Sequence, residues 1–307
     1  MKNTVLHTPV LVREVMEGLE VKPGGRYIDS TLGTAGHAKV ILDLSSPDGT
    51  LLGIDQDPQA VEVAQAMLQA YGSRVALVHD SFIRLAAIAS EKDFVPADGV
   101  LLDLGVSSLQ LEQSERGFSF QAEGPLDMRM DPHSRVSAEL LVNTLTEQEL
   151  AEVIARYGEE PKARAVARAI VRHRPIGTTT QLAEIVAQAI RRRSRLHPAT
   201  RTFQALRIAV NDELDALSAV LPQAIDVLRK GGRLAVISFH SLEDRLVKQF
   251  MARESTDCIC PPGMPGCRCG HQRTLVRLTR KPIRPSPAES SENPRSRSAK
   301  LRIAMKV

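Results

Sequence analysis

The chain has 307 residues, 43% of them hydrophobic, which is enough apolar material for one large domain or two ordinary ones. It contains no run of about 18 apolar residues, and Met1-Lys2-Asn3-Thr4 lacks a signal peptide's apolar segment, so a soluble cytoplasmic protein without a membrane span is expected. The net charge is only +4, but Ala151 to Val210 holds eleven Arg and one Lys against four Glu, a net of +8, which leaves the remainder near −4.

His7-Thr8-Pro9-Val10-Leu11 reads as a helix start, with Thr8 as cap and Leu11, Val15 and Leu19 at helical spacing. Strands are expected at Arg26 to Asp29 and Thr50 to Asp55. Asp57-Pro58 then opens a helix with Val61, Ala64 and Leu68 on its apolar face. Val75 to Val78 and the apolar run Gly99 to Leu104 read as a third and a fourth strand, so the series is βαβ with a parallel sheet. The next convincing strand, Arg233 to Phe239, comes roughly 130 residues after Asp103, far more than one crossover helix requires. A helical insert is therefore expected between strands four and five. It would hold a capping box at Thr146-Glu147-Gln148-Glu149, basic helices from Pro161 to Arg172 and from Gln181 to Arg193, and one long pattern from Thr202 through Leu217. Ser241 to Asp244 caps the helix after strand five. Thr274 to Leu278 and Leu301 to Ala304 suggest an antiparallel pair, joined by a loop from Pro282 to Arg297. These readings divide the chain into a discontinuous sheet domain, 1–109 with 216–307, and an insert, 110–215.

The stretch most informative about chemistry is Tyr27 to His37, where a strand ends on Asp29, turns through Gly33 and enters a helix at Gly36. Asp55 and Asp103 close two later strands. In parallel α/β sheets ligands bind at the carboxyl ends of the strands, and a carboxylate about 20 residues beyond the glycine turn suits ribose hydroxyls. Gly33 and Gly36 supply only part of a dinucleotide fingerprint, and Asp29 would repel a pyrophosphate. A nucleoside bearing a sulfonium and an ammonium is better served, so S-adenosylmethionine is preferred to a nicotinamide dinucleotide. Asp57 is available to cap the helix, which leaves Asp55 for the ribose. Phe82, just past strand three, either packs on an adenine or belongs to the core.

Asp103-Leu104-Gly105-Val106-Ser107-Ser108 follows strand four, where amine methyltransferases place a polar residue followed by Pro-Pro-aromatic. A cytosine amine delocalises its lone pair into the ring. Asp103 and the Leu104 carbonyl accepting its two N–H bonds would help localise that pair, with the methyl carbon in line about 3–3.5 Å away. The Pro-Pro is absent, which disfavours a DNA amino-methyltransferase, and helix capping is the alternative role for Asp103 and the serines. Carbon-5 methylation normally needs a thiolate near the site. The four cysteines, Cys258, Cys260, Cys267 and Cys269, lie elsewhere. Their paired C-x-C spacing is compatible with zinc, though less usual than C-x₂₋₄-C. Free thiols in a reducing compartment are the other reading, and no metal is assigned. Arg191-Arg192-Arg193-Ser194-Arg195 suits phosphates, and Phe118, Phe120 and Phe203 are candidates to stack an extruded base.

Taken together these motifs resemble the bacterial small-subunit (16S) ribosomal RNA cytosine-N4 methyltransferases. The similar segments are His7 to Leu11, Asp29 to His37, Asp103 to Ser108, Arg116 to Phe120, Gly124 to Met130, His197 to Gln204, Ser238 to Asp244 and Asn293 to Arg297, and they span nearly the whole chain. The resemblance implies an α/β, Rossmann-like S-adenosylmethionine-dependent methyltransferase sheet with a helical, RNA-binding insert between strands 4 and 5. It further implies N4-methylation of a cytidine in the decoding region of 16S ribosomal RNA. Carried over by motif, the cofactor residues would be Ala35, Gly36, His37, Asp55, Phe82, Asp103 and Gln110, with Asp103 also catalytic. The family often has Gly where Ala35 stands, and the cysteine cluster lies outside its common pattern. The implied partner is 16S ribosomal RNA or the small ribosomal subunit, and a homodimer is allowed. A non-catalytic RNA-binding assembly factor on the same fold is the rival function.

Overall fold

A computed structural model describes residues 9–190, 197–261 and 266–307. The Thr8 cap and the Arg191 to Arg195 run expected from the sequence lie outside these residues. The chain divides into two compact units, one formed by residues up to Gly105 together with Leu214–Val307, the other by Val106–Glu213.

The first unit opens with α1 (Val12–Leu19), β1 (Arg26–Asp29), α2 (Gly36–Leu44), β2 (Thr50–Asp55), α3 (Pro58–Leu68), β3 (Val75–His79), α4 (Leu85–Glu91) and β4 (Ala97–Asp103). The second unit contributes α5 (Ser108–Glu112), α6 (Ala138–Thr144), α7 (Glu147–Gly158), α8 (Ala163–Arg172), α9 (Thr179–Ile190) and α10 (Thr200–Asn211). The chain then continues through α11 (Glu213–Val227), β5 (Leu228–Ser238), α12 (Ser241–Arg253), β6 (Leu275–Arg277), α13 (Pro287–Glu292) and β7 (Lys300–Lys306).

The strands form one sheet in the order β3-β2-β1-β4-β5-β7-β6, parallel except where β7 runs antiparallel between β5 and β6. Its two faces follow from residue alternation. Ile28, Leu52, Ile54, Val100, Leu102, Leu234 and Val236 point into a core shared with α4, α11 and α12. Tyr27, Leu51, Leu101, Ala235 and Ile237 point into a second core shared with α1, α2 and α3. Strand order reverses between β1 and β4, which opens a crevice at their carboxyl ends.

In the second unit α6 to α10 surround their own core, in which Val142, Leu150, Ile154, Val166, Ile170, Leu182, Val186 and Leu206 are fully buried. Apolar positions three and four apart line each buried face. On α8 the inward residues Ala163, Val166, Ala167 and Ile170 leave Arg164, Arg168 and Arg172 exposed in a row spaced by four.

Three local expectations are corrected. First, helix α1 begins at Val12 and not in the Thr8-Pro9 turn, because Leu11 is left-handed (φ 54°) and its N–H donates to Glu289 Oε1 at 2.7 Å. Second, that acceptor comes from α13, inside the stretch from Pro282 to Arg297 expected to be a loop. Ser286 accepts from the Glu289 N–H and Pro287 opens the first turn, so the segment folds as a helix. Third, the long pattern from Thr202 to Leu217 is two helices, broken where Asp212 turns left-handed at φ 49°.

Candidate active site

The crevice is built from the ends of β1, β2 and β4 and the turn into α2. After β1 the turn stays tied to the flanking strands: the Ser30 N–H donates to the Leu101 carbonyl of β4 and the Leu32 N–H to the Ile54 carbonyl of β2. At Gly33 (φ 51°) only the Thr31 carbonyl oxygen, 3.9 Å away, would touch a Cβ, and the glycine lets the backbone take this left-handed turn. Ala35, buried and left-handed at φ 65°, precedes α2 without giving it a side-chain cap. The positive end of a helix dipole favours an anionic group at such a start. A Cβ at Gly36 would lie 3.0 Å from Pro9 Cγ, a tight contact that the Pro9 ring would have to relieve by shifting.

Four carboxyls belong to this region. Asp29 is almost fully buried, and burial is the main reason its pKa rises to about 7. The Thr31 N–H at 3.2 Å opposes the shift and the nearby Asp55 adds to it. Asp55 rises to about 6, again chiefly by burial, although the Asp57 N–H (2.9 Å) and Gly33 N–H (2.8 Å) bind its two oxygens. Asp103 is pushed well above the usual carboxylate range by burial, then by the charges of Asp29 and Glu243. Its Oδ1 is buried without a hydrogen-bond partner, a costly state for a polar atom. Its Oδ2 lies 3.5 Å from His37 Nδ1. Glu243, at the start of α12, accepts from the Phe239 N–H at 2.8 Å and the His240 N–H at 3.2 Å.

Carboxyls that raise one another's pKa and leave an oxygen unsatisfied are suited to a cation, which favours their ionised forms. With the glycine turn beside them, these residues fit a cationic nucleoside such as S-adenosylmethionine. Asp55 stands beside Gly33, its Oδ2 accepting from the Gly33 N–H.

The sequence-derived residues fare unequally. Asp55, Ala35, Gly36, His37 and Asp103 gather in this crevice, and Asp57 caps α3 through the Gln59 N–H at 3.1 Å, leaving Asp55 at the strand tip. Phe82 opens a short 3-10 turn and packs, half-buried, on the core that includes Ile54 and Val78. Gln110 belongs to the second unit. There its side chain accepts from the Ser107 N–H at 3.0 Å and completes a capping box on α5.

Reasoning from sequence missed Thr31, whose Oγ1 accepts from the Asp103 N–H at 2.6 Å and sets the tip of β4. It also missed Glu243 as a charge acting on Asp103. The sequence marked Glu243 only as part of the Ser241 to Asp244 cap after β5.

Several motif residues have structural duties. Phe118 and Phe203 are buried in the core of the second unit, which corrects their reading as base-stacking platforms. Phe120 is half-buried, with ring centroids 4.7 Å from His197 and 4.8 Å from Phe203. Arg129 grips Asp127 through two bonds of 2.7 and 2.8 Å, and Arg116 donates to the Met130 carbonyl at 2.9 Å. His240 caps α12, its Nδ1 accepting from the Glu243 N–H at 3.4 Å.

A parallel sheet with one antiparallel strand inserted beside its last parallel strand, and an acidic crevice at its switch point, define an S-adenosylmethionine-dependent methyltransferase fold. Within that class the chain belongs to the MraW methylase family, whose model matches residues 4–307. Its relatives include "Ribosomal RNA small subunit methyltransferase H" of Thermomicrobium roseum, 55% identical over 305 residues, covering 98% of this chain and 94% of the relative. Proteins of the same name from Symbiobacterium thermophilum and Dehalococcoides mccartyi are 54% and 51% identical, each covering 98% of this chain and respectively 96% and 86% of the relative. Among the described residues no helix is long and apolar enough to cross a membrane.

Proposed function

We infer that the chain methylates N4 of a cytidine in 16S ribosomal RNA with S-adenosylmethionine. The observation that carries the chemistry is Asp103, held at the tip of β4 with one buried oxygen unpartnered beside Asp29 and His37. When bound, the cofactor supplies an electrophilic methyl group on a sulfonium.

The chain's own residues would do the rest. Ionised Asp103 accepts one N–H of the cytosine amine and the Leu104 carbonyl the other, which draws the nitrogen lone pair out of conjugation and fixes its direction. Asp29 and Glu243 keep the crevice negative, favouring a cationic donor over a neutral one. Asp55 holds the ribose. After transfer the amine's surplus proton leaves to solvent. No cysteine nucleophile takes part in this route.

The second unit supports RNA docking through the exposed row of Arg164, Arg168 and Arg172 on α8. Several other described cations of the basic segment are already engaged, whereas on the row only Arg168 pairs, with Glu147 at 3.2 Å. Arg174 donates to the Val142 carbonyl at the end of α6 (2.7 Å), Arg207 pairs with Glu213 through two 2.8 Å bonds, and Lys162 donates to the Ile190 carbonyl at 2.7 Å. The α8 row is thus the better candidate surface, and the decoding-region cytidine the expected target.

The reading is tested by incubating small subunits and naked 16S RNA, each from a strain lacking the gene, with the protein and labelled cofactor, followed by nucleoside mass mapping. N4-methylcytidine at one position is the expected product. Label on another atom, or in neither substrate, overturns the assignment.

A further inference from the structure

Between α12 and β6 the chain makes a long excursion, closed at its base where the Thr274 and Leu275 N–H groups both donate to the Glu254 carbonyl at 2.9 and 3.0 Å. None of its described residues from Glu254 to Thr274 is buried, and none lies in a helix or strand. A segment of this length without a core needs another source of order.

The excursion nevertheless brings its four cysteine sulfurs within 4.8 Å of one another. Cys267 and Cys269 Sγ are 3.5 Å apart and Cys269 and Cys258 Sγ 3.9 Å. Tetrahedral zinc with four Zn–S bonds of about 2.3 Å requires sulfurs about 3.8 Å apart. The two C-x-C turns also brace each other. Ile259, between Cys258 and Cys260, donates its N–H to Cys269 Sγ at 3.4 Å, and Arg268, between Cys267 and Cys269, donates its N–H to Cys260 Sγ at 3.4 Å. Backbone N–H groups aimed at sulfur stabilise thiolates, the form that binds metal. His271 turns its Nε2 to the Arg253 carbonyl, 3.1 Å away.

We propose that Cys258, Cys260, Cys267 and Cys269 form a closed four-thiolate zinc site that staples the excursion between α12 and β6. The role is structural, since four protein ligands leave no open position on the metal. Binding displaces the remaining thiol protons to solvent and leaves a site of net charge −2, with Arg268 between two of its ligands. No oxidant or reductant is required, and the inference does not depend on the methyl-transfer reading.

The test uses the full-length protein purified under reducing conditions without chelator, then given equimolar zinc and desalted. About one zinc per chain is expected by elemental analysis, released in full when a mercurial caps the thiols. Exchange for cobalt(II) should give the ligand-field and thiolate charge-transfer bands of a tetrahedral sulfur site. The double variant Cys258→Ser/Cys269→Ser should lose at least about tenfold in zinc content while retaining its far-ultraviolet dichroism. Should that variant aggregate, the cobalt spectrum of the unaltered protein decides. Four freely reactive thiols with less than about a tenth of a zinc per chain overturn the proposal. So do two mapped disulfides, or full zinc retention by the folded double variant.

Discussion

His37 Nδ1 lies 3.5 Å from Asp103 Oδ2, while Nε2 of the same ring sits 2.8 Å from the Val10 carbonyl. A carbonyl only accepts, so Nε2 carries a hydrogen and the Nδ1–Oδ2 contact is attractive when one proton lies between them. The ring thereby links α1's leading segment to the proposed catalytic carboxyl. Asp103→Ala should lower kcat/KM by at least about 100-fold, the scale of losing one pre-organised polar partner. Titration calorimetry with the cofactor, run beside the methyl-transfer assay, separates lost binding from lost turnover. Full activity in the variant removes Asp103 from the mechanism.

The raised carboxyls carry a pH signature with a definite sign. Asp29 and Asp55 hold their protons more tightly in the folded protein than at the ordinary value of 3.8, reaching about 7 and about 6. Over that window the folded state binds more protons than the unfolded chain. Their contribution is therefore most favourable at the acid end and is lost as pH rises through about 6 to 7. Thermal denaturation of the ligand-free protein should show this component, flattened by Asp29→Asn. Affinity for the cationic cofactor should run the other way, rising over the same window with proton release. Calorimetry in buffers of different ionisation enthalpy reads that release, and an affinity independent of pH would falsify the linkage.

Asp244 on α12 ties down β7. Its Oδ1 accepts from Arg302 Nε at 2.7 Å and its Oδ2 lies 3.3 Å from Lys300 Nζ. Arg302 is only 6% exposed, so removing its partner strands a buried charge. Asp244→Ala should cost about 3–5 kcal/mol, measurable by urea denaturation. A loss below about 1 kcal/mol would mean that solvent already screens the pair.

On α8, replacing Arg164, Arg168 and Arg172 together by Gln should weaken RNA binding. The salt dependence of log K should fall by about 0.7–0.9 for each phosphate that the variant no longer neutralises. Arg168 already pairs with Glu147 at 3.2 Å, so its share should be the smallest. Cofactor affinity should not change. An unaltered salt slope would place the RNA on another face.

The sheet was legible because its strands alternate strictly between two buried faces and end on polar punctuation. Asp29, Asp55 and Asp103 each close an apolar run, and the glycine turn marks the crevice. What escaped was either tertiary or a single backbone angle. Nothing local announces that Leu11 takes Glu289 as the acceptor for its N–H, or that Thr31 sets the backbone of Asp103. Phe118 and Phe203 read as surface platforms because an aromatic residue in an insert expected to bind RNA does not declare which way it faces. The pattern from Thr202 to Leu217 keeps helical spacing across Asp212, whose left-handed angle has no mark in that periodicity.

That angle is itself testable. Asp212 is exposed and left-handed at φ 49°, a conformation a side chain enters at a cost and glycine enters freely. Asp212→Gly should be neutral or stabilising by up to about 1 kcal/mol, seen as an unchanged or higher Tm. A clear loss would show that the Asp side chain itself holds the turn.

The bond from the Leu11 N–H to Glu289 closes a circuit across 278 positions of the chain. During translation the leading segment emerges long before its acceptor does. The crevice wall that this segment shares with His37 must therefore wait until Glu289 has been made. A nascent chain stalled short of Glu289 would display the sheet's first strands yet leave the pocket unlatched, which makes late synthesis the step at which binding competence arrives.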